Sequence, residues 1–290
     1  MRMLHKNANG NAVDQPKYLL LFGNATYDYK GKEFSTETVI PTYQSMESLN
    51  QTGTFATDDY FGLLDDNEGN IMAPRHTIDI AIGRFPVRTA DQANAMIDKV
   101  IHYESLATFG SWRNNITFVA DDEDSNTHLL HAEGHALNIA NREPVYNIDK
   151  IYLDAFQLES TPAGLRYPSV NDGISTKMFN GCLMMNYTGH GGPSGWAHER
   201  ILTIDDIRSW DNYDAMPLFV TATCEFTRYD DPSRISAGEE IVLNPNGGAI
   251  AAVSTSRLVY AHANERTNRN FLNNLFAQYN GRTDFYDSCN

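Results

Sequence analysis

Cysteine is scarce. The 290-residue chain holds three, Cys182, Cys224 and Cys289, too few and too far apart for a disulfide framework, so the fold must stand on its core. So small a count leaves the redox compartment open. Basic residues are in deficit as well: 22 Lys and Arg face 37 Asp and Glu, for a formal net charge of −15. A surface of that sign repels phosphate backbones, which argues against a nucleic-acid partner, and it suits solubility or metal-ion binding by some of the acids. No apolar stretch approaches the ~20 residues that cross a bilayer. The polar start, Met1 to Gln15, lacks the apolar centre of a secretory signal. It reads either as cytoplasmic or as a piece excised from a longer exported protein. Internal repeats, low-complexity linkers and Cys-x-x-Cys pairs are also missing.

What is present is a globular composition. At 41% hydrophobic and 11% aromatic the chain is not disordered, and its length suffices for one large α/β domain or two close subdomains. Continuous apolar runs suited to buried parallel strands occur at 17–23, 78–85, 115–120, 145–156, 181–188, 217–224 and 249–253, with a short candidate at 39–43. Between them lie helical patterns. One spans 89–107, opened by the capping box Thr89-Ala90-Asp91-Gln92 with Ala93, Ile97, Val100, Ile101 and Leu106 on its apolar face. Others span 127–140, 170–179, 202–210 (Thr203 as N-cap), 236–243 and 268–279. Strands alternating with helices predict a mainly parallel sheet with helices on both faces. We divide the chain into a disordered or appended N-terminus (1–16), an α/β subdomain (17–110) and a catalytic subdomain (111–290).

Ligands of such sheets bind beyond the carboxyl ends of the strands. Three strand ends carry reactive groups: Asp121 and Asp122, His190 within Gly189-His190-Gly191-Gly192, and Cys224. A thiol needs a base to become a nucleophile, a histidine supplies one, and a carboxylate can steady the resulting imidazolium. Asp121 and Asp122 are both placed for the last role, and the sequence does not choose between them. Attack on an amide makes an oxyanion, for which the N–H groups of Gly191 and Cys224 are the expected donors. Gly192, Trp196 and Glu225 are expected to help shape the binding site.

Blander readings apply elsewhere. Cys182 belongs to the core, Cys289 is incidental, and His128, His131 and His135 are ordinary helix positions. The glycines around His190 lack the spacing of a dinucleotide or P-loop. A zinc site would need two further ligands near His190 and Cys224. The acidic pairs Asp58-Asp59 and Asp65-Asp66 read as solvated turns, with calcium as the functional alternative.

Asn186 to Gly192 followed by Thr221 to Cys224 resembles the gingipain-type (C25) cysteine peptidases. The likeness to the family extends to residues 247–256, and residues 18–28, 57–62 and 80–88 are similar to its type IX secretion sortase branch. That resemblance implies a caspase-like fold, Cys224 as nucleophile and His190 as general base and acid, with no required cofactor and calcium admitted. It also implies protein substrates with a C-terminal secretion signal, other outer-membrane secretion components as partners, and the outer membrane or cell surface of a Gram-negative bacterium as location. The acyl-enzyme would be released by water or by a cell-surface amine. The competing expectations are a hydrolysis-only endopeptidase and an inactive caspase-like binding module.

Overall fold

A computed structural model describes residues 1–11, 13–35, 39–46, 50–69 and 76–276. Cys289 and the end of the helix expected to reach residue 279 lie outside them. The parallel strands are β1 (Tyr18–Phe22), β2 (Ala81–Phe85), β3 (Asn115–Ala120), β4 (Asn147–Tyr152), β5 (Met184–Thr188), β6 (Leu218–Ala222) and β7 (Ala251–Val253), beside short antiparallel pairs such as Gly191–Gly192 with Gly195–Trp196. Strands β3 to β7 form one five-stranded parallel sheet in the order β7-β6-β5-β3-β4. The winding direction reverses between β3 and β5, which makes their carboxyl ends the expected crevice. Strand β5 is central and wholly buried, as are β6 and most of β3, which is why these strands read as unbroken apolar runs.

The helices are α1 (Arg2–Asn7), α2 (Ala90–Tyr103), α3 (Thr127–Arg142), α4 (Pro168–Asn180), α5 (Ile204–Ser209), α6 (Ala237–Leu243) and α7 (Ala261–Leu275). Two apolar clusters fill the two faces of the sheet. One holds Ile174, Met185, Tyr187, Trp196, Phe219 and Ile241, and the other Phe118, Ile139, Met184, Val220 and Leu272. Both expected N-caps form, Thr89 accepting from the Gln92 N–H and Thr203 closing a full capping box with Asp206.

Several expectations shift. Strand β1 is parallel, but it pairs with β2 alone and leaves Tyr18, Leu20 and Phe22 40–57% exposed rather than buried. Helix α1 lies in the segment expected to be disordered, tied down by Arg2 donating to the Leu63 and Glu68 carbonyls. On α2 the buried positions are Met96 and Lys99, while Ile97 and Ile101 face solvent. Lys99 is accommodated because its ammonium contacts the carbonyls of Val242, Asn244, Gly247 and Ala249 at 2.7–3.2 Å. Burial pulls its pKa down to about 7, an effect that those four oxygens, by favouring the ammonium, oppose.

Candidate active site

The register of the central strands places the two reactive residues beyond neighbouring strand ends. Thr188 on β5 pairs with Ala222 on β6. His190 and Cys224 each lie two residues further along, at equivalent points on strands ~4.8 Å apart. The ladder continues past the strand ends, with the Gly189 N–H donating to the Ala222 carbonyl and the Asp121 N–H to the Thr188 carbonyl. Glycine is required at 189 and 191 for close approach. A Cβ on Gly189 would lie 2.4 Å from both Asp121 Cβ and the Tyr187 hydroxyl, and one on Gly191 would lie 2.6 Å from Thr223 Oγ1. Gly191 therefore abuts the residue that precedes the cysteine.

His190 is held by its main chain. Its N–H donates to Asp121 Oδ2 at 2.9 Å, and its carbonyl accepts from the Tyr187 hydroxyl at 2.6 Å. Asp121 is fully buried, and its Oδ1 also accepts from the Glu123 N–H. Burial raises its pKa while these two N–H groups oppose the shift. Asp122 accepts from the Tyr167 hydroxyl. The carboxylates that face the imidazole are the next two in sequence: His190 Nε2 is 3.2 Å from Asp124 Oδ2 and 3.5 Å from Glu123 Oε2. Glu123 is shared with His198, whose Nδ1 lies 3.0 Å from both Glu123 oxygens and whose pKa that bond raises. The His198 ring stacks on His190 at 5.4 Å, and the buried His128 ring meets His190 edge-on at 5.1 Å.

Cys224 is half-buried. Its Sγ lies 3.5 Å from both the N–H and the carbonyl of Val259. The Gly191–Trp196 pair sits between the ladder bonds of its hairpin, since Ala197 donates to the His190 carbonyl. That turns the Gly191 N–H out of the ladder. The Cys224 N–H has no main-chain acceptor among the described residues. Both expected oxyanion donors are thus available.

Two clefts flank the pair. On the His190 side a cleft of about 650 Å³ is lined by Gly191, Gly192, Ser194, His198, Arg200 and Asp205, with the buried Trp196 as its floor. Trp196 also packs into the core, stacked on Tyr187 at 4.2 Å. Beyond the cysteine a second cleft of about 640 Å³ is lined by Tyr27, Gln44, Glu225, Arg228 and Arg257. Glu225 has a positive φ of 50° and pairs with Arg228 at 2.9 Å. A bidentate Arg257–Asp230 pair joins this wall to the loop that carries Val259.

Among the described residues, two groups converge as metal ligands would: Asp121, His128 and His190, and Asp121, Asp122 and Glu199. The acidic loop forms no such group. Asp58 makes a bidentate pair with Arg84, and Asp66 pairs with Lys6. Sequence reasoning gave no role to Glu123 or Asp124, the carboxylates that face the His190 ring. Asp124 and His128 stand four apart, but Asp124 precedes α3 with a left-handed φ of 56°, so helical periodicity does not mark the pair. No helix among the described residues is long and apolar enough to cross a membrane.

A family model described as peptidase family C25 matches residues 1–286. Gingipain R2 of Porphyromonas gingivalis is 26% identical over 160 residues, covering 54% of this chain and 20% of that sequence. Gingipain R1 of Porphyromonas gingivalis matches equally, over 15% of its length. A crystal structure of the Arg-specific cysteine proteinase gingipain R (RgpB) superposes with a TM-score of 0.69 at 17% identity, covering 94% of this chain and 56% of that one. The complex of Porphyromonas gingivalis RgpB pro- and mature domains gives a TM-score of 0.72 at 16% identity, covering 96% and 58%. The chain thus spans a fifth or less of the two gingipain sequences. The likeness of fold is to the caspase-like gingipains.

Proposed function

The chain belongs to peptidase family C25, and on that premise we propose that it cleaves peptide bonds with Cys224 as nucleophile and His190 as general base and acid. The observation that carries this reading is the Thr188–Ala222 register, which sets the two side chains on neighbouring strand ends. His190 Nε2 faces Glu123 and Asp124, so Nδ1 is the nitrogen left to take the thiol proton. The imidazolium formed is steadied by those two carboxylates. The thiolate then attacks the scissile carbonyl, and the oxyanion is received by the N–H groups of Gly191 and Cys224. On collapse, Nδ1 returns its proton to the leaving amine and a thioester remains on Cys224. Water, or another amine, releases it.

We further read the enzyme as a sortase that removes the C-terminal signal of type IX secreted cargo at the surface of a Gram-negative cell, with transfer to a lipopolysaccharide amine. Support for this finer reading is the likeness of residues 18–28, 57–62 and 80–88 to that branch. The test is Cys224→Ala in the full-length protein. Loss of processing with an unchanged melting curve is expected, and unimpaired processing would instead favour a binding module. Mass spectrometry of the product separates the chemistries: an added amine means transfer, a free carboxylate hydrolysis.

A further inference from the structure

Three carboxylates that peptide cleavage does not account for meet beside the His190 main chain. Asp121 follows β3, Asp122 comes next, and Glu199 lies in the turn of residues 197–200 after the Gly191–Trp196 hairpin. One ligand atom from each lies within 4.8 Å of the other two. Glu199 is 8% exposed. Its carboxylate is served by its own main-chain N–H, but its Oε2 is buried and has no hydrogen-bond partner. Asp122 gives Oδ2 to the Tyr167 hydroxyl, while its Oδ1 is likewise buried without a partner. A buried carboxylate oxygen left bare is costly, and two of them stand in this one group.

Like charges make the cost larger. Burial, and after it the carboxylates of Asp121, Glu123 and Asp122, raises the Glu199 pKa. Burial raises that of Asp121 as well. A cation seated among the three carboxylates occupies the bare oxygens and turns the repulsion into attraction. Its class follows from the ligands. Carboxylates alone suit hard ions, whereas sulfur and imidazole are what softer metals select. Calcium binds oxygens at about 2.3–2.6 Å in adaptable geometry, so two of them on opposite sides of the ion stand about 4.6–5.2 Å apart. Separations of at most 4.8 Å fall within that reach. Magnesium usually takes one or two carboxylates and keeps several waters, so a set of three favours calcium. Asp121 is already oriented as a ligand, its oxygens fixed by the His190 and Glu123 N–H groups with lone pairs to spare.

We propose that Asp121, Asp122 and Glu199 bind a calcium-class cation, which fastens the end of β3 to the turn that carries Glu199. Asp122 is half-buried, so solvent reaches the group and water can fill the positions that protein leaves open. The His190 N–H donates to the same Asp121 carboxylate, so the ion also steadies the main chain of that histidine. The site stands whether or not the chain cleaves peptides. It is separate from the acidic loop at 58–66, where Asp58 is paired with Arg84 and Asp66 with Lys6.

The probe is Ca²⁺, titrated calorimetrically into wild-type protein stripped with a chelator. Expected is saturable binding of one Ca²⁺ per chain, with Tm raised by roughly 5 °C at about 100 times Kd. Mg²⁺ at the same concentration should raise Tm less. Glu199→Gln and Asp122→Asn keep the side-chain shape and remove the charge. Each should weaken Ca²⁺ binding by more than about 10-fold, since even outer-shell partners account for about 10–100-fold. Asp65→Asn, in the acidic loop, should bind Ca²⁺ as the wild type does, and an equal loss there would mean diffuse attraction to an acidic surface and overturn the site. Absence of saturable binding, or an affinity unaltered in both site variants, also overturns it. Mg²⁺ binding more tightly than Ca²⁺ overturns the calcium class. Either site variant suffices if the other does not fold, and the wild-type titration needs neither. Calcium binding by a chain that cleaves no peptide supports the site and counts against the catalytic reading alone.

Discussion

Gly189→Ala is the smallest change that should disable the active site. The added methyl would sit 2.4 Å from Asp121 Cβ and 2.4 Å from the Tyr187 hydroxyl. These are the two residues that anchor the His190 main chain, one through its N–H and the other through its carbonyl. Both neighbours are fully buried, so neither can swing into solvent to relieve the contact. Overpacking of this kind costs about 1–3 kcal/mol, and losing the bond to the Asp121 carboxylate costs about 1.5–3 kcal/mol. The two overlap, because relieving the clash is what breaks the bond. We expect a net loss of about 3 kcal/mol, hence a fall in Tm of roughly 6 °C at ~2 °C per kcal/mol for a chain of this size. Displacing the imidazole by about 1 Å should lower kcat/KM by about 100-fold.

The matched control is Gly192→Ala, where a Cβ meets nothing within 4 Å and the melting temperature should barely move. Thermal melts of both variants, with kcat/KM of Gly189→Ala against the best wild-type peptide, make the comparison. A Gly189→Ala protein that melts and turns over like the wild type would refute the claim that these contacts hold the histidine in place.

Two further outcomes follow from buried or shared charges. Lys99→Met leaves four carbonyls facing an apolar side chain, and breaking a buried charged interaction from one side costs about 3–5 kcal/mol, so Tm should fall by roughly 6–10 °C at ~2 °C per kcal/mol; a fall under about 2 °C would count against the cage. The His198 pKa is raised by its bond to Glu123, so that pairing is fully present below the ordinary histidine value of about 6.5 and is lost as pH rises through the raised one. An NMR titration should show His198 above 6.5 in the wild type and back near it in Glu123→Gln, whereas an unchanged value would remove Glu123 as the cause.

The strands were legible because a strand buried on both faces is written as an unbroken apolar run. That His190 and Cys224 follow neighbouring strand ends was legible too, since parallel register fixes which loop residues come to equivalent points. The buried face of α2 was not legible. Its inward position carries Lys99, and only the main chain of a loop more than 140 residues away supplies the oxygens that make a lysine tolerable there. Periodicity cannot register a polar residue whose partners are backbone atoms.

The carboxylates of the site fail for a different reason. Asp121 to Asp124 form one acidic run, and nothing in their identity says which will face the imidazole. The choice is made by the backbone: Asp124, Ser125 and Asn126 all have positive φ, at 56°, 55° and 65°. Three consecutive left-handed residues turn the chain back so that Asp124 reaches the His190 ring while Asp121, just past β3, holds the His190 main chain. Asp and Asn tolerate that region better than most residues, but each such residue still costs of order 1–3 kcal/mol. Three in succession persist only where the surroundings over-determine them. Here the Asp124 carboxylate lies 3.2 Å from His190 Nε2 and 3.3 Å from His128 Nε2, so the strained turn is the one that brings this carboxylate to both imidazoles.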